Sequence, residues 1–207
     1  MKNTLEQLNL AKTFLAKNQG KKELLAQELR ECVAGLARTQ NSIEIFEKAK
    51  IFLQQVSETA RALAKARIET VVTKALQYVF GLQYAFKIQL KYTPSRVEAD
   101  FLVVTNYGNK TVENYPTTGK GGGIVDLLAI ALKFSILELV NFDGPIWLDE
   151  PFKHVSEDYI PAAGRLLTYM GEMSSRQITI ITHNPRLAEM CNKVITVAQT
   201  EGKSSIT

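Results

Sequence analysis

The chain has 207 residues, a hydrophobic fraction of 45% and a formal net charge of +4, enough for one substantial core or a core with an extension. Its longest apolar stretches, such as 127–134, fall well short of the roughly 18 residues that a membrane helix needs, and the opening MKNTLEQLNL lacks a signal-peptide core. No membrane association is expected, and two distant cysteines, Cys32 and Cys191, with neither metal spacing nor a disulfide framework, fit a reducing cytoplasm.

The first eighty or so residues contain no proline and are rich in Ala, Leu, Glu, Lys and Gln, a composition that predicts helix. Two weak points are expected in it, at Asn18-Gln19-Gly20 and at Thr39-Gln40-Asn41-Ser42. Beyond them Phe46, Ala49, Leu53, Val56, Ala60 and Leu63 alternate steps of three and four, the spacing of a coiled-coil seam. Two to three heptads fit either the stump of a longer coiled coil or a helix packed on a domain. Residues 1–75 hold 13 Lys+Arg against 8 Asp+Glu, and residues 76–207 hold 12 against 13; the basic excess of the first third suits either a polyanion partner or a solvated helical face.

From Leu82 the period changes. LQYAFKIQLKY and EADFLVVTNYG mix alternation with β-branched and aromatic residues around Thr93-Pro94-Ser95, which predicts a β-hairpin. Residues 106–123, rich in Gly, Asn, Thr and Pro, read as a loop ending in TTGKGGG before an apolar helix over 124–140. The remainder alternates: a strand to Leu148, a helix from about Ser156, a strand over 177–181, a helix from Asn184 and a strand over 193–198. Strands separated by helices imply a parallel sheet. Ser156 is placed to cap the first of these helices, and Asn184, followed by Pro185, the second.

Ligands of parallel α/β sheets bind at the carboxyl ends of the strands. Asp149-Glu150 end one strand and Thr182-His183-Asn184 end the next. An apolar strand that stops at adjacent acids must neutralise them, pair them or aim them into a site; two surface acids in a turn are the plain alternative. Closely spaced backbone N–H groups in Lys120-Gly121-Gly122-Gly123, at a helix start, suit an anion, and a flexible glycine linker is the alternative.

An apolar strand ending in Asp-Glu-Pro, preceded by a glycine-rich loop that opens a helix and followed by a strand ending in Thr-His, resembles the C-terminal half of an ABC-type ATPase head. The order helix, hairpin, glycine loop, WLDEPF and ITHNPRLAE is most similar to SMC-like, SbcC-type repair ATPases and their phage relatives, over roughly residues 45–200. The resemblance implies an α/β fold in two parts. Residues 1–80 would form a helical, coiled-coil-like segment, and 81–207 the C-terminal lobe of the head, with a mainly parallel sheet and a hairpin. It implies ATP and Mg²⁺ as cofactors, with Asp149 as the Walker B metal residue, Glu150 as the carboxylate that orients the attacking water, and His183 as the switch histidine at the γ-phosphate. Gly121, Gly122 and Gly123 would stand for the signature loop, which in the family reads Ser-Gly-Gly-Gln or Ser-Gly-Gly-Glu; the serine is missing here and Lys120 supplies a positive charge instead. His154 falls near the family's D-loop, facing a neighbouring head or solvent.

No Walker A sequence occurs in the 207 residues, so the resemblance implies half of a head, either a fragment or one subunit of a split ATPase. Its partners would be a Walker A-bearing N-terminal half or a second head, DNA, and a nuclease subunit, with heads dimerising around ATP. The function expected is DNA repair or recombination. The alternatives are a non-catalytic DNA- or nuclease-binding module on the same fold, and a head of the chromosome-organising or RecN/RecF type.

Overall fold

The computed structural model describes residues 2–93, 96–200 and 203–206. The chain divides into two compact units, Met1–Ala60 and Arg61–Thr207. Packing thus draws the boundary inside a helix, α1 (Lys2–Phe80), whereas secondary structure alone places it at residue 80.

Within the first unit the chain is helical throughout its described residues, including both expected weak points. Gly20 costs about 1 kcal/mol relative to alanine, which its helix-forming neighbours tolerate. Thr39 and Ser42 turn their hydroxyls back onto the carbonyls of Gly35 and Arg38, each at 3.0 Å, so neither side chain competes for backbone partners elsewhere. Phe14, Leu25, Leu29, Leu36, Phe46 and Leu53 are all exposed.

The second unit begins with the remainder of α1, where Val72, Ala75, Leu76 and Val79 are buried at the i, i+3, i+4, i+7 spacing of one helical face. Gly81, at φ 108°, ends the helix by donating its N–H to the Gln77 carbonyl at 3.0 Å. β1 (Tyr84–Tyr92) and β2 (Val97–Tyr107) then pair antiparallel from Tyr84↔Thr105 to Tyr92↔Val97; Pro94 and Ser95 of the expected connection lie outside the described residues. Helix side chains close the outer edge of β1: Thr73 Oγ1 accepts the Phe86 N–H at 2.9 Å, and Glu69 Oε1 that of Ile88 at 2.7 Å. An edge strand otherwise leaves such donors open.

The expected loop over 106–123 is more structured than its composition suggests. Gly108, at φ 60°, turns the chain into a third strand, β3 (Lys110–Asn114), antiparallel to β2. A short helix, α2 (Pro116–Gly119), follows, and α3 (Gly122–Leu139) takes Gly122 and Gly123 into its first turn. β4 (Ile146–Asp149) buries Ile146 and Leu148 and exposes Trp147 and Asp149. α4 (Ile160–Met173) starts later than expected: Ser156 to Asp158 form a turn in which the Ser156 carbonyl accepts the Tyr159 N–H at 2.9 Å, so Ser156 does not cap the helix. Pro161, within the first two positions, fixes the start instead.

β5 (Ile178–Ile181) pairs with β4 in parallel, Ile146↔Ile178 through Asp149↔Ile181. α5 (Pro185–Ala188) has Asn184 as its N-cap, whose side chain accepts the N–H groups of Arg186 and Leu187. Among the described residues the last expected strand does not join the parallel pair. β6 (Val197–Thr200) pairs antiparallel with β7 (Lys203–Ile206), a pairing that sequence alternation of strands and helices does not reveal. One core joins α1 from Val72 onward, β1, β2, α3, β4, α4 and Leu187. Among the described residues no helix is long and apolar enough to cross a membrane.

Leu127 is completely buried, and its truncation in Leu127→Ala is expected to cost about 2–5 kcal/mol. Leu53→Ala, at an exposed position of α1, is expected to change stability by less than about 0.5 kcal/mol. Urea unfolding of the two variants, followed by circular dichroism, checks the contrast.

Candidate functional site at the ends of the parallel strands

The pairing of β4 with β5 sets the site. Asp149 stands opposite Ile181 in the last matched position, and one residue later the Glu150 N–H donates to the Ile181 carbonyl at 2.8 Å. Two residues beyond Ile181 comes His183, so both chains leave the sheet at the same edge. There Glu150 Oε2 and His183 Nδ1 lie 2.8 Å apart. A carboxylate only accepts, so any proton shared across this contact comes from the His183 ring. The Glu150 side chain is 31% exposed and that of His183 77%, which keeps the pair accessible.

The Glu150 carboxyl is held below the usual carboxylate range. The hydrogen bond from the His183 side chain is the largest cause; partial desolvation opposes it, while the charge of His183, its backbone N–H and the charge of Lys153 reinforce it. Glu150 is therefore an anion at neutral pH, the form needed to orient a water or accept a proton. Asp149 is exposed on the outward face of β4. Among the described residues no three His, Cys, Asp or Glu side chains cluster as a metal cage. One or two carboxylates suit Mg²⁺, which binds through them together with phosphate oxygens and water.

The turn after Glu150 is unusual. Glu150 and Phe152 adopt φ values of 44° and 65°, a region costly for residues with a Cβ. Buried Phe152 anchors it. Across the edge, Asn184 Nδ2 donates to Glu157 Oε1 at 3.0 Å, the Asn184 N–H donates to Thr182 Oγ1 at 3.1 Å, and Arg186 Nη1 donates to the Glu157 carbonyl at 3.3 Å. These bonds fix the backbone on both sides of His183.

The glycine segment sits against the far end of the same turn. A Cβ at Gly122 would lie 2.7 Å from His154 Cβ, and one at Gly123 3.0 Å from the His154 carbonyl oxygen and from Val155 Cα. Both glycines are thus demanded by close packing. Gly121, the N-cap position, has nothing within 4 Å of its would-be Cβ among the described residues. Lys120 turns away from the helix start: its ammonium donates to Thr105 Oγ1 at 2.5 Å and lies 5.7 Å from the centre of the Tyr84 ring.

The structure therefore brings Asp149, Glu150 and His183 to one strand edge, and packs Gly122 and Gly123 against residues 154 and 155. Sequence reasoning missed Asp126, whose carboxylate accepts the His154 backbone N–H at 2.9 Å and faces His154 Nδ1 at 3.1 Å. Its signal was a lone acid within the apolar run Ile124 to Leu132, the placement of a carboxylate with a specific partner.

No protein-family model matches the sequence, and no curated protein sequence matches it. Solved structures do match its fold. An SMC ATPase studied for ATP-driven dimerization and DNA-stimulated activation superposes with a TM-score of 0.55 at 15% identity, over 69% of this chain and 83% of that one. The Smc head domain of Pyrococcus furiosus, with an extended coiled coil and bound to the C-terminal domain of ScpA, gives 0.55 at 16% identity, over 75% of this chain and 39% of that one. The Smc head of Pyrococcus yayanosii, with a coiled coil and joint, gives 0.57 at 16%, over 75% and 30%. The chain has the mixed α/β fold of an SMC-like head and spans less than half of the two Pyrococcus structures.

Because the Glu150 carboxyl is held down by His183, the pair is expected to persist at neutral pH and to be lost only as pH falls through the depressed value, below the ordinary carboxylate range. Carbon-13 NMR of the Glu150 carboxyl checks this: its midpoint lies below the ordinary carboxylate range, and rises toward it in His183→Ala.

Proposed function

We propose that this chain is the C-terminal half of an SMC-like ATPase head acting in DNA repair or recombination. The carrying observation is the convergence of Asp149, Glu150 and His183 at the carboxyl edge of β4 and β5, in a chain with the fold of SMC heads.

When bound, Mg-ATP would supply the scissile phosphoryl group. Asp149 would hold the metal, with phosphate oxygens and water as its remaining ligands. Glu150, ionised and with one oxygen free of His183, would orient the attacking water and draw on its proton. His183 would present Nε2 to the departing phosphate while Nδ1–H stays on Glu150, so loss of the phosphate would be felt at the carboxylate. The N–H groups of Gly122 and Gly123 in the first turn of α3 would face the phosphates of ATP held by a second head. Lys120 would reach that anion only by leaving Thr105 and Tyr84.

The phosphate cradle itself would come from a Walker A-bearing N-terminal half. The parallel pair supports this, because among the described residues β4 and β5 have no further partner strand and Trp147 is 65% exposed on the outward face. Parallel sheets are ordinarily covered on both faces. The apolar stripe of α1 would pair with a helix of the same half. DNA and a nuclease subunit would be partners of the assembled heads.

Alone, the chain is expected to turn over ATP negligibly, since the backbone and lysine that position the phosphates are missing. Mixed with a Walker A-bearing half it should hydrolyse ATP, with Glu150→Gln lowering the rate by about 10²-fold or more. Appreciable turnover by the isolated chain contradicts the half-site. Salt-dependent DNA binding that ignores Mg-ATP and Asp149→Ala would favour the non-catalytic module instead.

A further inference from the structure

Glu150 owes its place to a backbone that twice enters the left-handed region within three residues. Such geometry persists only where the surroundings over-determine it. On the near side, Phe152 and Val155 are buried in the core. On the far side the turn is fastened to α3: Asp126 accepts the His154 backbone N–H at 2.9 Å, and the same carboxylate faces the His154 Nδ1 at 3.1 Å. Hydrogen bonds to an ionised acceptor are the stronger kind. The contact needs Gly122 and Gly123, because a Cβ at either would press on residues 154 and 155. Nothing in the packing of α3 on the core requires an acid at position 126.

We propose that Asp126 and His154 are positioning residues that clamp the glycine start of α3 to the turn after β4, so that the placement of Glu150 against His183 depends on the clamp. A displacement of the α3 start is then carried to Glu150, and a change at Glu150 back to the glycines. The coupling is a property of this fold; its meaning for turnover rests on the function proposed above.

Amide hydrogen exchange of Glu150, whose N–H is held by the Ile181 carbonyl, tests the clamp in the full chain without nucleotide. Asp126→Ala is expected to speed that exchange by about tenfold, the scale of one hydrogen bond, and to shift the His183 Nδ1 proton signal, with amides of α4 unchanged. Asp126→Asn, which keeps an acceptor for the His154 N–H, should restore part of the protection. His154→Ala, which deletes only the imidazole bond, should give an intermediate effect and serves if Asp126→Ala does not fold. Unchanged Glu150 and His183 signals in His154→Ala and in any folded Asp126 variant overturn the clamp. In a complemented ATPase, Asp126→Ala should lower kcat and leave KM; an unaltered kcat overturns the clamp's role in turnover. Faster exchange at Glu150 in a protein that no complementary half makes active upholds the clamp and removes the nucleotide reading.

Discussion

Four matched residues of parallel pairing, Ile146↔Ile178 to Asp149↔Ile181, hold the site together. Side chains alternate along a strand, so this register sends Ile146 and Leu148 into the core and leaves Asp149 facing out. It also lets Glu150 and His183 leave the sheet side by side, 2.8 Å apart. A slip of one residue would exchange the faces, burying Asp149 and exposing Leu148. The core beneath, from Leu127 and Ile160 to Leu187, resists that slip and thereby fixes the chemistry at the edge.

The same constraint explains why the neighbouring turn tolerates unfavourable backbone angles. Glu150 and Phe152 are left-handed, and the chain holds them by burying Phe152 and by bringing the start of α3 into contact at Gly122 and Gly123. The glycines therefore act on both sides of the argument. Their missing Cβ atoms admit the turn, and their N–H groups, at the start of an 18-residue helix, are the donors that an anion would meet. Packing and anion binding both favour glycine there, so its presence alone does not separate them.

Much of this was legible in the sequence. Apolar residues running into Asp149-Glu150 and into Thr182-His183 marked two strand ends, and Asn184-Pro185 marked a helix start that the structure reproduces. What stayed hidden depended on distant partners. Thr39 and Ser42 read as a weak point because their hydroxyl bonds to the helix backbone are invisible in composition. β3 hid in a polar segment because its pairing with β2 supplies what its own residues lack. Ser156 resembled a cap, but Pro161 lets the helix begin only at Ile160. Lys120 suggested a phosphate contact, whereas Thr105, fully buried and 15 residues away, accepts a hydrogen bond from its ammonium.

The central claim is that β4 and β5 deliver Glu150 and His183 to one edge as a pair 2.8 Å apart. Long-range proton–nitrogen NMR of the His183 imidazole tests it most directly. The account predicts a protonated Nδ1 and a bare Nε2 at a pH where the ring is neutral, with the preference lost in Glu150→Ala. A ring protonated on Nε2, or one indifferent to residue 150, would contradict it.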